Sequence, residues 1–206
     1  RATITTCPEG GNIHSGFDEA YNEVGLDIQT RLNQEDLKDI PLYITGHSLG
    51  GALATIAAKR LTHPLGGIAA CYTYGSPRVG DEVWGSKIKT PIYRMVNAAD
   101  CVTMLPPSGV SIWVLGWLAR LVPNVGKSIQ SYILQRLGGY LHVGDMRYMT
   151  NCKTSDYTDV KLLYSVSWVF RLKALYVKNL GPKKSLTDHS IATYRKKLLI
   201  IARNRN

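Results

Sequence analysis

Short apolar runs and longer periodic stretches alternate along the first half of this chain. Residues 41–45, 68–74 and 92–96 are runs rich in Ile, Val, Tyr and Ala, and each reads as a short buried strand. Residues 51–61 follow the first run with a helical pattern that Pro64, Gly66 and Gly67 cannot continue. A short helix is predicted over 82–88, and a terminal one over 191–202, studded with Arg195, Lys196 and Lys197. Ahead of the first strand, Phe17, Ala20, Tyr21, Val24, Ile28 and Leu32 fall on one stripe at helical period, opposite Glu19, Asn22, Glu23, Asp27 and Arg31. Ser15 and Asp18 have capping-box spacing, so one helix is predicted over 15–32. Residues 1–13 are polar and turn-rich, with a loop at Pro8-Glu9-Gly10-Gly11-Asn12. Strands alternating with helices predict an α/β fold, a mostly parallel sheet with helices on both faces. Sites in such sheets gather at the carboxyl ends of the strands.

From Pro106 the pattern changes. Residues 110–122 are nearly all apolar, but that run is shorter than the roughly 20 residues a bilayer requires. Residues 129–137 are amphipathic. Residues 162–177 are apolar again, with Trp168 and Phe170, but Arg171 and Lys173 interrupt them, so no transmembrane segment is expected. Charge sharpens the contrast. Residues 1–107 carry 9 Lys+Arg against 11 Asp+Glu, and residues 108–206 carry 16 against 4, which places the whole of the +10 in the second half. Such a surface suits any polyanion, and two readings of the apolar stretches stand open: elements at a lipid interface, or ordinary elements packed on the sheet.

With 206 residues, 45% of them hydrophobic, the chain can bury one sizeable core, and a single domain is expected. Cys7, Cys71, Cys101 and Cys152 are too widely spaced for a zinc knuckle. Cys71 and Cys101 read as buried structural thiols, with Cys7–Cys152 as the bridge left open. There is no internal repeat, no phosphate-binding glycine loop and no His-x-x-x-His, so neither cofactor nor metal is expected.

Candidate chemistry centres on Thr45-Gly46-His47-Ser48-Leu49-Gly50-Gly51, between the first strand and its helix. Gly-x-Ser-x-Gly in that context is a nucleophile elbow, in which a sharp turn exposes the serine hydroxyl. Glycines at 46 and 50 suit the turn, since a side chain at either place would crowd the neighbouring backbone. Ser48 is the candidate nucleophile, and the N–H of Leu49 the candidate oxyanion donor. A serine nucleophile needs a base and an acid that orients it. Of the five histidines, His47 adjoins the serine and is expected to point elsewhere, His63 follows the helix, and His14 precedes the strand. His142 and His189 both remain in a Ser, acid, His order. Asp100 follows the third strand on the same sheet edge as Ser48, where it reads either as that acid or as a turn residue.

The runs His14-Ser15-Gly16-Phe17, Thr45 to Ala54, Tyr74-Gly75-Ser76-Pro77-Arg78-Val79-Gly80, Asn97 to Asp100 with Leu105-Pro106-Pro107, and Asp188-His189-Ser190 together resemble the class-three lipases. The resemblance covers about half the chain. It implies an α/β-hydrolase fold and hydrolysis of lipid carboxylic esters through an acyl-enzyme, without a cofactor. It also implies Ser48 as nucleophile, Asp100 as orienting acid and His189, in a loop ahead of the terminal helix, as base. His14 and His142 take structural roles, and Arg78 and Asp81 fix a turn and a helix start.

Two departures stand out. The family carries an Arg-Gly-Thr or Arg-Gly-Ser segment and then a lid ahead of the His-x-Gly-Phe motif, where Arg1-Ala2-Thr3 lacks the glycine. The expectation is therefore a single domain over 1–206 without its N-terminal strand and lid, and with the second oxyanion donor not found in this chain. The other departure is an insertion, residues 108–180, expected as a helical, apolar and basic cap between Asp100 and His189. Such a cap would present Trp113, Trp117 and Trp168 to an anionic lipid surface. The expected partner is a lipid ester. No specific nucleic acid is expected, since no recognition motif accompanies the charge. A phospholipase or general carboxylesterase of the same fold is the alternative within the class, and a non-catalytic membrane-surface or partner-binding module on the same scaffold is the alternative outside it.

Overall fold

The structure, a computed structural model, describes residues 4–106, 139–167, 169–171 and 182–205. It opens on a small antiparallel hairpin, β1 (Ile4–Thr6) and β2 (Asn12–His14), around the predicted loop. Arg60 holds that loop down, donating to Glu9 at 2.8 Å and to Asp18 at 2.6 Å. The helix predicted over 15–32 is two helices, α1 (Ser15–Asn22) and α2 (Gly25–Leu32). The break falls at Val24 and Gly25, where the Tyr21 ring lies 2.7 Å from where a Cβ on Gly25 would stand. Burying that ring turns the chain. Val24 and Ile28, placed by periodicity on the buried stripe, are consequently exposed. The capping residue of α1 is His14 rather than Ser15, and no side chain caps the helix.

The main sheet has five strands in the order β3 (Tyr43–His47), β4 (Ala70–Tyr74), β5 (Ile92–Asn97), β6 (Asp145–Met149) and β7 (Leu162–Tyr164). The first four are parallel, and β7 returns antiparallel. Among the described residues β3 is the edge strand, so Tyr43 is exposed where the apolar run predicted burial. Helix α3 (Leu49–Arg60) connects β3 to β4, and its Ala52, Ala54, Ile56, Ala57 and Ala58 are all buried. Small residues on several sides let it sit close to the sheet, between α1 and strands β3 and β4. A single turn, α4 (Glu82–Gly85), follows β4. Asp81 caps it, accepting from the Trp84 N–H at 2.8 Å and from Asn12 of the hairpin at 2.8–3.0 Å. After β5 a 3-10 turn, Val102–Met104, leads away from the sheet. The chain closes on α5 (Pro182–His189) and α6 (Ile191–Arg203), and α6 covers the other sheet face by packing Tyr194, Leu198 and Ile201 against Met95, Met149 and Leu162.

Two expectations change here. Residues 108–180 are not one helical cap, because 145–149 and 162–164 are strands of the main sheet, with Tyr148 and Met149 buried in it. The runs 110–122 and 129–137, with Trp113, Trp117 and Trp168, lie outside the described residues. Cys101 is exposed, since the chain leaves β5 for the surface before reaching it; all four cysteines are free thiols. Among the described residues no helix is long and apolar enough to cross a membrane.

Candidate active site

Ser48 stands alone between β3 and α3, with φ 56° and ψ −126°, a conformation that costs a non-glycine residue about 1–3 kcal/mol. The surrounding fold imposes it. The Ser48 N–H donates to the Tyr74 carbonyl at 2.9 Å, and α3 begins on the next residue. Gly46 makes the turn possible: a Cβ there would stand 2.1 Å from the Gly50 carbonyl oxygen. Gly50, expected to be equally crowded, has open space, and the second tight position is Gly51, whose Cβ would meet Ser76 at 2.7 Å. Gly46→Ala is therefore expected to destabilise by about 3 kcal/mol or more, since backbone has to move. Gly50→Ala, in the first turn of a helix, should stabilise by up to about 1 kcal/mol. Urea unfolding of both variants measures the contrast.

Ser48, His189 and Asp100 come together from three separate places in the chain. The Ser48 hydroxyl lies 2.8 Å from His189 Nε2, and His189 Nδ1 lies 3.0 Å from both oxygens of Asp100. Asp100 is fully buried, and the His189 side chain is 17% exposed, so the imidazole reaches solvent only at its edge. His189 is the last residue of α5, at the corner with α6, rather than a loop residue. Leu49 opens α3, so its N–H is one of those a helix leaves without an intrahelical acceptor, next to the serine oxygen.

Several supporting residues surround the three, and the sequence assigns none of them a part in the site. Tyr194 donates its hydroxyl to Asp100 Oδ2 at 2.7 Å and accepts from the Asn97 N–H at 3.0 Å. Burial, together with the Asp100 charge, pushes the phenol well above its ordinary pKa and keeps it a donor. The Val102 N–H supplies Asp100 Oδ1 with a further bond at 3.0 Å. Asn97 donates its amide to the carbonyl of Asp188 at 2.7 Å and accepts from the buried Lys197 at 2.6 Å. His47 also takes part: its Nε2–H donates to the His189 carbonyl at 2.7 Å, with the two rings 4.8 Å apart. Gly75, at φ +61°, leaves room for the pair, because a Cβ there would lie 2.7 Å from Asp100 and 3.0 Å from His189. A tyrosine five residues after a histidine and an asparagine closing a strand are common, so neither spacing by itself signals a role in the site.

The remaining histidines lie elsewhere. His14 stacks on Phe17 at 4.2 Å, and His63 is buried after α3. His142 is half-buried beside the 3-10 turn, its Nε2–H donating to the Thr103 carbonyl at 2.7 Å. Burial, then the charges of Arg94 and Arg78, drive its pKa well below 6.5. A folded-state pKa below the unfolded one means that the unfolded chain takes the proton first. The stability this group confers is thus present above about pH 6.5 and lost as pH falls below it, by about 1.4 kcal/mol per unit. Thermal midpoints between pH 7 and 5 should show that slope, and His142→Gln should flatten it. Arg78 donates to the carbonyls of Met104 and Pro106, pinning the turn after β4 to the loop after Asp100. Among the described residues no group of three His, Cys, Asp or Glu side chains could hold a metal ion.

A hydroxyl, an imidazole and a buried carboxylate so placed can pass the serine proton to the ring and hold the resulting imidazolium. Known proteins share the scaffold. The family profile described as Lipase (class 3) matches residues 2–110. A secreted mono- and diacylglycerol lipase of Fusarium solani is 38% identical over 103 residues, 48% of this chain and 31% of that protein. A lipase of Rhizomucor miehei is 34% identical over 132 residues, 59% of this chain and 36% of that one. The chain thus spans about a third of the length of these curated relatives. The solved structure of a triacylglycerol lipase, whose catalytic centre is a serine protease triad, superposes with TM-score 0.55 at 26% identity, covering 80% of this chain and 54% of that one. With the parallel sheet, the elbow and a family profile over more than half its residues, this α/β-hydrolase chain belongs to the class 3 lipase family.

Proposed function

We propose that this protein hydrolyses carboxylic esters of lipids, acylglycerols foremost, through an acyl-enzyme on Ser48. The carrying observation is the relay of 2.8 and 3.0 Å from Ser48 through His189 to Asp100, with the carboxylate fully buried. In this reading His189 Nε2 takes the Ser48 proton as Oγ attacks the ester carbonyl carbon, and Asp100 holds the ring in the tautomer whose Nε2 is free to accept. The carbonyl oxygen gains negative charge and is received by the Leu49 N–H. Collapse of the tetrahedral intermediate breaks the ester C–O bond. The alcohol departs with the proton from His189, leaving the acyl group on Ser48. Water, deprotonated by the same ring, then releases the fatty acid.

The substrate class rests on the relatives, which are named as mono- and diacylglycerol and triacylglycerol lipases. Fatty-acid release from emulsified mono-, di- and triacylglycerols, followed by titration at constant pH, tests it. Release from at least one of them is expected, and release only from phospholipid would replace the acylglycerol assignment. The basic second half of the chain supports action at an anionic lipid surface, with 16 Lys+Arg against 4 Asp+Glu over residues 108–206.

A further inference from the structure

We propose that Lys197 is a positioning residue of the hydrolytic site, holding the Asn97 amide in the orientation that fixes His189 against Asp100. The assignment rests on the reading of Ser48, His189 and Asp100 given above. Lys197 lies on α6, three residues after Tyr194, and is 1% exposed. Positions three apart share a helix face, so both side chains reach the ends of the strands. Lys197 Nζ donates to Asn97 Oδ1 at 2.6 Å and to the Thr150 carbonyl, just past β6, at 2.8 Å, with the Tyr157 ring centre 5.4 Å away. A side chain so fully buried does not meet substrate, so its effect on hydrolysis passes through Asn97.

Asn97, the last residue of β5, is wholly buried, and each of its polar groups is engaged. Its N–H donates to the Tyr194 hydroxyl at 3.0 Å, and its carbonyl accepts from the Asp100 N–H at 2.8 Å. Its Nδ2 donates to the Asp188 carbonyl at 2.7 Å, which leaves Oδ1 for Lys197. One residue thus grips both halves of the pair, the acid through its own backbone and the base through the residue ahead of it. A second bond closes the clamp, since the Asp188 carboxylate accepts from the Ala99 N–H at 3.2 Å. With residue 188 tied to 97 and 99, the His189 ring meets Asp100 at 3.0 Å.

The ammonium decides which way the amide faces. An ammonium offers only donors and a backbone carbonyl only an acceptor. A flipped Asn97 would set its NH₂ against Lys197 and its oxygen against the Asp188 carbonyl, so one orientation satisfies both neighbours. The charge also polarises the amide and strengthens the Nδ2–H bond on its far side. Without it, Asn97 Oδ1 and the Thr150 carbonyl each lose a buried donor, and the amide is held from one side instead of two. The relay is sensitive to such slack, because a displacement of about 1 Å can cost about a hundredfold in rate.

Lys197→Met keeps most of the apolar stem and removes the charge. It is expected to lower kcat about 10–100-fold with KM within about threefold, since no group that meets substrate has changed. The proton NMR signal of His189 Nδ1–H, which donates to Asp100, should move upfield and broaden, whereas a loss of stability alone leaves that signal of the folded molecules in place. Asn97→Asp keeps an acceptor for Lys197 but turns an oxygen toward the Asp188 carbonyl. It should show the same two changes, and it carries the test should Lys197→Met fail to fold. Thermal midpoints set a temperature at which each variant is folded. Either a kcat within about twofold of the parent or an unmoved His189 signal would overturn the proposal. The hydrolytic reading fails on different evidence, a parent that neither releases fatty acid nor takes a fluorophosphonate probe, and the NMR signal then still reports whether Lys197 sets the ring.

Discussion

Ser48→Ala is expected to lower kcat for acylglycerol hydrolysis by a factor of about 10⁵–10⁶ while leaving the unfolding free energy within about 1 kcal/mol of the parent. The size follows from the geometry. Ser48 Oγ is the atom that would become the acyl carrier, and it lies 2.8 Å from His189 Nε2. Removing the oxygen leaves only what the Leu49 N–H and substrate binding contribute. The fold should barely notice, since an alanine at φ 56° carries much the same backbone strain as the serine. His189→Ala should cost a similar factor, and the double variant little more than either, because a nucleophile and its base act as one unit. A fluorophosphonate probe gives a second measure that is independent of substrate choice: it should label the parent and not Ser48→Ala. Equal labelling of the two, or residual hydrolysis within tenfold, would remove Ser48 from the mechanism and favour the non-catalytic module.

Asp100→Asn should lower kcat by about 10⁴. Asp100 accepts from His189 Nδ1–H, from the Tyr194 hydroxyl and from the Val102 N–H, all in a fully buried place. An asparagine has one acceptor oxygen and a donating NH₂. Val102 donates to Oδ1 and Tyr194 to Oδ2, so one asparagine oxygen keeps only one of them; with the oxygen on Val102, the NH₂ takes the place of Oδ2, faces His189 and favours the tautomer that carries its proton on Nε2. That nitrogen can no longer accept from Ser48. The variant should therefore stay slow throughout the range in which the ring is neutral while its thermal midpoint stays near the parent's, whereas a loss from misfolding would lower the midpoint. Tyr194→Phe tests the same network more gently. It removes one donor from Asp100 and leaves the carboxylate, so its cost should be well below that of Asp100→Asn. The pH–rate profile of each variant, read beside its thermal midpoint, separates the cases.

Much of this fold was legible because its first half is locally consistent. The elbow, the short apolar strands and the alanine-rich α3 each carry their own period or turn chemistry. What misled was period read without context. The stripe over 15–32 is continuous in sequence, yet the packing of Tyr21 against Gly25 breaks it, and no propensity scale registers a ring lying where a Cβ would be. The motif predicts crowding at Gly50, but it is the neighbouring Gly51 that meets the Ser76 turn. Both are contacts between distant segments. The apolar stretch from 162 begins as a sheet strand for the same reason: its pairing with β6 is a long-range choice that composition does not announce.

The sequence by itself determined which residue types were on hand: a serine on a glycine-flanked turn, an acid past a parallel strand, and a histidine ahead of the terminal helix. Order along the chain left His142 beside His189, and the resemblance of five ordered motifs to the class-three lipases named Ser48, Asp100 and His189 as a set. Only the tertiary structure decided that they meet, with the two members of the Ser48–His189 contact 141 positions apart, and that Tyr194, Asn97, His47 and Gly75 surround them. It likewise decided that three arginines, spread from 78 to 171, lie within electrostatic reach of one another. The physical reason is common to both: hydrogen bonds and charges act over a few ångströms in space, and the sequence records separation along the chain.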